Sequence, residues 1–543
     1  MSSHNKDPVD LQVLSNARAQ DDSQLRTAGE RGQMLPVRGT ALALLAVVLI
    51  VAGYNVWHRR DAVELYIASF FDPPFVRMIE CPSLDQSARK AACGYLYSYL
   101  NPDDADEGLV RTPFIVFRSH AADRRDTPII FVDGGPGGLT DANPEGGSLW
   151  SGFLNTDAAA WLSRHDLVVF SQRGLPDTIP SLDCGWGPYG AVDFDMSYVS
   201  NYSIDELLDN NTYHTRNCAY ELHSGGRALI HYSSSAAAHD LASLIVEAGL
   251  EGAYLWGASN GSFVTLTFLD DYEDLVSGVI LEGVEPPGIA DKPGNFDYFL
   301  DTLRRIAAEC RLSPRCPGEK FNLFQRFHIK LTTLRSAPLR VEFESAVNGE
   351  MKQAVINDGL LIDLVWDALY TTDGIARVHA LMSLDREAIK TQLRESEYPY
   401  ISEEVYLAYR CNDADWRDWD ATGVSDVPGI SFEEWRMWTT HLVDKECAAW
   451  RGVSGASVNT SRIVASDVPV LMLNGELDVA TPAPQMWQQL DYLPNGWAFE
   501  FKGLGHAVSD HPCAQAIIGK FLADPTRDPR DVCIDHLPDP EFR

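Results

Sequence analysis

The sequence predicts an α/β fold: a β-sheet flanked by helices, interrupted by a mostly helical insertion and preceded by one membrane-spanning helix. Three observations lead there. Short apolar runs rich in Val and Ile recur at 113–118 (PFIVFR), 128–132 (PIIFV), 166–170 (DLVVF), 253–256 (AYLW), 276–281 (VSGVIL) and 468–473 (VPVLML), with helical stretches between them. Such alternation is the pattern of an α/β sheet. It disappears between residues 289 and 465, where Trp, Tyr and charged residues take over, and a run near the N-terminus carries no charge at all.

In chain order, residues 1–38 read as a polar tail and residues 39–57 as a transmembrane anchor. From Gly39 to Trp57 the sequence GTALALLAVVLIVAGYNVW is uncharged, with Arg38 before it and Arg59 and Arg60 after. At about 1.5 Å per residue it spans close to the ~30 Å hydrocarbon core of a bilayer. The long polar tail ahead of it fits an uncleaved anchor better than a signal peptide, and its apolar character on every face argues against a buried core helix.

All ten cysteines follow the anchor, in neighbouring pairs: Cys81 with Cys93, Cys184 with Cys218, Cys310 with Cys316, Cys411 with Cys447, and Cys513 with Cys533. An even count on one side of a membrane segment reads as a disulfide framework in an oxidising compartment. The body is therefore expected outside the cytoplasm, on the periplasmic or extracellular side. No C-x-x-C pair or His/Cys cluster at ligand spacing occurs, so neither a metal nor another cofactor is expected. The formal net charge of −33 excludes nucleic acid as a partner, since phosphate binding draws on Lys and Arg. Such acidity serves solubility, and it also attracts cationic groups such as the α-ammonium of a peptide.

Residues 75–288 are expected to form the first part of the sheet core. Within it, Leu241, Leu244, Ile245 and Ala248 repeat at i, i+3, i+4 and i+7 behind the capping candidates Ser233, Ser234 and Ser235, which predicts a helix over 236–250. Residues 289–465 read as an inserted lid. Its tryptophans, Trp366, Trp416, Trp419, Trp435, Trp438 and Trp450, either line a substrate pocket or form the lid's own core, the second being the preferred reading for any one of them. Residues 466–543 return to the sheet core.

The chemistry is carried by Gly257-Ala258-Ser259-Asn260-Gly261, a G-x-S-x-G between the strand Ala253–Trp256 and a helical stretch, Ser262–Leu269. That context is the one a nucleophile elbow demands, because a sharp turn lifts the serine hydroxyl above the sheet. A serine needs a histidine to take its proton and a carboxylate to orient that histidine. Asp478 in NGELDVATP follows the strand Val468–Leu473, and His506 in FKGLGHAVS follows a strand expected over Trp497–Phe501. The order Ser, Asp, His is that of the α/β-hydrolase fold. Glu476 is the rival carboxylate; His511 and His239 are the rival imidazoles, the first expected to begin the final helix and the second to be structural. The loop Asp133-Gly134-Gly135-Pro136-Gly137-Gly138 follows an early strand, as a first oxyanion loop should. The N–H of Gly135, or of Gly134, together with that of Asn260 is the expected oxyanion pair.

With these residues in place the chain resembles the prolyl aminopeptidase and tripeptidyl aminopeptidase group of α/β-hydrolase serine peptidases. The resemblance rests on DGGPGG at 133–138, SQRGLPDTIPSLDC at 171–184, GASNGS at 257–262, GELDVATP at 475–482 and GLGHAVSDHPC at 503–513, and runs from about residue 75 to the C-terminus. Cys513 and Cys533 match two cysteines of the tripeptidyl aminopeptidase-like C-terminal module. Two positions depart from the group: Ser171 stands where Asp usually precedes QRG, and Asn260 where Tyr usually follows the nucleophile.

The resemblance implies that the insertion closes one end of the cleft and that carboxylates receive the substrate's free amine; Glu282 and Glu285, at the end of a strand, are the candidates. The leading expectation is thus a membrane-anchored, extracytoplasmic aminopeptidase working through an acyl-enzyme on Ser259. An esterase or amidase for small molecules uses the same triad, and a non-catalytic binding ectodomain is the alternative of another class.

Overall fold

The computed structural model describes residues 60–81, 84, 90–140, 142, 150, 153–184, 204–289, 295–312, 323–346, 348–371, 374–396, 401–413, 441–455 and 462–538. The expected tail and the expected anchor over 39–57 lie outside them, as do Trp416, Trp419, Trp435 and Trp438. Among the described residues no helix is long and apolar enough to cross a membrane. The chain divides into two units, Met1–Arg60 and Asp61–Arg543.

The second unit is built on a nine-stranded sheet. In chain order it follows helix α1 (Arg60–Ala68) with strands β1 (Phe75–Ile79), β2 (Ala91–Asn101), β3 (Asp104–Phe117), β4 (Ile129–Val132) and β5 (Leu167–Phe170). Helices α2 (Ile204–Ser224) and α3 (Ser234–Glu247) lead to β6 (Ala253–Ala258), α4 (Asn260–Tyr272) and β7 (Val276–Glu282). The spatial order is β1-β2-β3-β5-β4-β6-β7-β10-β11, where β10 (Val470–Gly475) and β11 (Gly496–Phe501) come after the insertion. Strands β1, β2, β3 and β5 pair antiparallel, and β5, β4, β6, β7, β10 and β11 pair parallel.

Each apolar run singled out in the sequence lies in a strand, and the alternation of side chains along each strand assigns the two faces. Ile130, Val132, Leu255, Val279, Leu281, Val470 and Met472 pack beneath α3 and α4. Ile129, Phe131, Tyr254, Trp256, Ile280, Leu471 and Leu473 point the other way, toward the final helix α13 (Pro512–Ala523). Both faces are covered, which is why these runs are apolar throughout and why residues 129–132 and 167–170 are all buried. The helix expected over 236–250 is α3. Its N-cap is Ser233, whose side chain accepts from the N–H of Ala236.

The insertion is mostly helical, as expected, and also holds a pair of strands that was not expected. It contains α5 (Asn295–Leu312), α6 (Leu323–Ser336), the antiparallel pair β8 (Leu339–Glu344) and β9 (Met351–Ile356), then α7 (Asp358–Leu369), α8 (Gly374–Met382), α9 (Arg386–Glu395), α10 (Glu403–Asp413) and α11 (His441–Ser454). In β8 buried residues alternate with exposed ones, a period of two that the sequence reading passed over among the helical runs. The segment also divides in its packing. Side chains from α5 to α9 form one core together with Leu477 and Val479 of the loop after β10, whereas Val405, Leu407 and Tyr409 of α10 and Cys447 and Trp450 of α11 belong to the core of the sheet. Trp366 lies against Phe299 in the first of these cores, and Trp450 is fully buried in the second. After β10 come α12 (Ala483–Leu490), β11 and α13.

Four of the neighbouring cysteine pairs are disulfides: Cys81–Cys93, Cys184–Cys218, Cys411–Cys447 and Cys513–Cys533. Cys310 is disulfide-bonded as well, and Cys316 lies outside the described residues.

Candidate active site

Strand β6 ends at Ala258 and α4 begins at Asn260, so Ser259 alone makes the turn, at φ 55° and ψ −128°. A left-handed conformation is costly for a residue with a side chain, by about 1–3 kcal/mol. It is held from both sides: the Ser259 N–H donates to the carbonyl of Glu282 at 2.8 Å, and the Ser259 carbonyl accepts from the Ser262 N–H at 2.8 Å. Gly261 lets the helix start so close to the sheet, since a Cβ there would lie 2.0 Å from the carbonyl oxygen of Val132. The elbow therefore projects the hydroxyl at the carboxyl end of the parallel strands, where α/β sheets collect their functional groups.

Asp478 sits in the loop after β10 and is buried, while His506 follows β11. Asp478 Oδ2 lies 2.8 Å from His506 Nδ1. Its other oxygen accepts from the N–H groups of Ala480 and Thr481, each at 3.0 Å, and the Thr481 hydroxyl donates to Oδ2 at 2.6 Å. Burial alone would lower the pKa of His506. The charge and hydrogen bond of Asp478, with the charges of Glu282 and Glu285, outweigh it and leave that pKa above the ordinary histidine value. Among the described residues no hydrogen bond joins the Ser259 hydroxyl to the imidazole; both groups line one cavity of about 750 Å³.

The rival residues are engaged elsewhere. Glu476 Oε2 accepts from the Gly503 N–H at 3.0 Å. His511 caps α13, accepting from the Cys513 N–H at 3.2 Å, and His239 hydrogen-bonds the hydroxyl of Tyr272 at 3.0 Å. The glycine loop after β4 reaches the nucleophile directly, because a Cβ on Gly134 would come within 2.7 Å of the Ser259 Cβ. The Gly134 N–H is taken by Asp133 Oδ1 at 2.8 Å, while the Gly135 N–H has no acceptor among the described residues. Asn260, as the first residue of α4, has an N–H with no intrahelical acceptor. Of the two glycines considered, Gly135 is thus the one with a donor to offer.

The two strand-end carboxylates have different surroundings. Glu282 lines the cavity, and its Oε1 accepts from the N–H groups of Val508 at 2.6 Å and Ser509 at 2.9 Å, just past His506. Its Oε2 accepts from the Trp256 indole at 3.3 Å. Glu285 is not among the described lining residues. It is ion-paired with Arg410 of α10 and accepts from the Asn260 side chain at 3.2 Å, so its charge is met inside the protein. Asp133 and Asp510 also line the cavity, and no Lys or Arg does among the described residues. Its aromatic wall comes from the strand residues Phe131 and Trp256, from Trp150 and Phe153 between β4 and β5, and from Tyr370 and Tyr406 of the insertion.

Several contributors had escaped the sequence reading. Gln172 Nε2 donates to the Asp133 carbonyl at 2.7 Å and so pins the glycine loop. Tyr370, just beyond α7, accepts the His506 N–H on its carbonyl at 3.2 Å and lays its ring 4.9 Å from the imidazole. Nothing local marks Tyr370, whereas Gln172 stands beside the noted QRG and Thr481 within GELDVATP. Ser171, one of the two departures from the resembled group, donates to Asp177 Oδ2 at 2.7 Å. One metal-like cluster occurs among the described residues, Cys184, Cys218 and Glu404, but its two sulfurs are bonded to each other.

Residues 127–328 match a family model described as alpha/beta hydrolase fold, and residues 433–533 match one described as TAP-like protein. No curated protein matches the chain. Similar solved structures include an esterase from Thermogutta terrifontis, 14% identical, covering 77% of this chain and 96% of its own at a TM-score of 0.32. An alpha/beta hydrolase fold protein from Chitinophaga pinensis is 13% identical, with coverages of 79% and 97% and a TM-score of 0.34. A bromoperoxidase from Bacillus anthracis is 11% identical, with coverages of 76% and 92% and a TM-score of 0.30. The two family matches thus fall on separate stretches, one similar to the alpha/beta hydrolase fold and one TAP-like.

Proposed function

We propose that this protein is a serine hydrolase, an aminopeptidase that releases short N-terminal units from peptides through an acyl-enzyme on Ser259. The observation that carries the reading is the convergence at one cavity of the Ser259 elbow and the 2.8 Å Asp478–His506 pair. In the first step Ser259 Oγ attacks the scissile carbonyl carbon and its proton passes to His506 Nε2. Asp478 stabilises the resulting imidazolium. The carbonyl oxygen, now negative, is met by the N–H groups of Gly135 and Asn260, a contribution of a few kcal/mol. Collapse expels the amine, which takes the proton from His506, and water repeats the sequence to free the acyl group.

A free α-ammonium suits the cavity, because Glu282 and Asp510 line it and no Lys or Arg competes among the described lining residues. The match of residues 433–533 to a TAP-like module supports a peptide substrate, and the insertion acts as the lid over one end of the cleft. The apolar run over 39–57 anchors the enzyme with its body outside the cytoplasm. A fluorophosphonate probe should label the wild type and leave Ser259→Ala unlabelled. Aminoacyl and tripeptidyl amides should be cleaved faster than simple esters and should lose most of their turnover when the amine is acetylated; equal turnover of blocked and free substrates would reject the aminopeptidase reading.

A further inference from the structure

Helix α1 carries apolar side chains on two opposite faces. On the inner one, Leu65 and Ala68 pack with Tyr97 and Leu109, and Glu64 accepts from the Tyr97 hydroxyl at 2.6 Å and pairs with Arg111 at 3.2 Å. These contacts fix the helix on the edge of the sheet. The outer face bears Val63, Tyr66 and Ile67, between 42% and 67% exposed, and Phe70 at 70% and Phe71 at 64% follow just past the helix end. Positions 63, 66 and 67 form one helical stripe, which the Phe70 ring extends by packing 5.2 Å from that of Tyr66. Folding of the body does not require it, and a contiguous apolar stripe left in water marks a contact surface.

Chain connectivity and composition say what covers it. The uncharged run Gly39–Trp57 ends only three residues before Arg60, so α1 starts within about 10 Å of the end of that run even if the link is extended. Tyr66, Phe70 and Phe71, preceded in sequence by Arg59 and Arg60, are side chains of the kind found at the boundary between headgroups and acyl chains. A chain of net charge −33 gains nothing from anionic lipid, which leaves apolar insertion as the attractive force. We propose that the outer face of α1 and the turn after it, from Val63 to Phe71, is a membrane-interface surface that seats the body against the bilayer holding its anchor. This rests on the reading of residues 39–57 as a membrane anchor.

The test uses the full chain reconstituted in phosphatidylcholine vesicles. No free cysteine occurs among the described residues, so a single introduced thiol can carry an environment-sensitive fluorophore. Labels at Ile67→Cys and Phe70→Cys should be quenched several-fold more by lipid spin-labelled near its headgroup than a label at Asp491→Cys, beside β11 at the opposite edge of the sheet. A label at Val48→Cys reports the anchor separately, through quenching by lipid labelled deep in its chains. Deep quenching at 48 with none at 67 and 70 overturns the surface while leaving the anchor in place. No quenching at 48 removes the anchor and the proposal with it. Energy transfer between labels at 70 on two copies, without lipid quenching, assigns the face to self-association instead.

Discussion

At the scale of single residues, the carboxylate of Asp478 shows how the proposed triad is held. Four donors converge on its two oxygens, one of them the Thr481 hydroxyl at 2.6 Å. A hydrogen bond to a charged group contributes about 1.5–3 kcal/mol. Thr481→Val should therefore lower kcat by roughly tenfold or more, with Thr481→Ser restoring most of it. The valine variant should also move the acid limb of kcat/KM to higher pH, because a carboxylate with one donor fewer holds the imidazolium proton more tightly. Glu282→Gln should act in the opposite sense. The Glu282 charge helps raise the His506 pKa, the imidazole is active as a base only when neutral, and removing that charge should carry the acid limb to lower pH. A pH profile of kcat/KM for the two variants measures both shifts, and limbs displaced in the same direction would contradict this electrostatic account. The proposed triad residues Ser259, Asp478 and His506 stand out in the sequence because each sits in a short local motif. Arg410 was not, because its partner Glu285 is 125 residues away in sequence.

At the scale of elements, the arginine of the QRG motif ties the strands to the helices. Arg173 is fully buried, its Nε and Nη2 each 2.7 Å from the carboxylate of Asp240 on α3, and its Nη1 donates to the carbonyls of Leu100 at 2.7 Å and His231 at 2.9 Å. Ser98 of β2 donates to the same carboxylate. Removing one member of such a buried pair leaves the other uncompensated, at a cost of about 3–5 kcal/mol. Arg173→Ala and Asp240→Ala should each lose that much in denaturant unfolding. Arg173→Lys should recover little, since a single ammonium cannot make the two-pronged contact. The sequence marked the motif but not its use. The strands of the sheet were readable from their apolar runs, whereas β8 and β9 were missed because a period of two only six residues long is easily passed over among helical runs.

At the scale of the whole molecule, acidity is distributed unevenly between surface and interior. Most of the negative charge is solvated, but Glu446 of α11 is buried, and desolvation, with the nearby charge of Glu403, pushes its pKa up to about 8. An acid whose pKa is higher folded than unfolded keeps more protons in the folded state, so its contribution to stability is present below about pH 4.5 and is lost as pH rises toward 8. Glu446→Gln should raise Tm at pH 8 and change it little at pH 4.5, as thermal unfolding at the two values would show. The alternation of strand and helix, the turn at Ser259, the order of the three motif residues and four of the five neighbouring cysteine pairs were legible in the sequence alone, because each is a local or nearest-neighbour property of the chain. Which carboxylate faces the cavity, which glycine has a free N–H, and how the insertion divides between two cores were decided only by tertiary structure. Those outcomes depend on hydrogen bonds and packing between residues far apart in sequence, whose meeting no local pattern records.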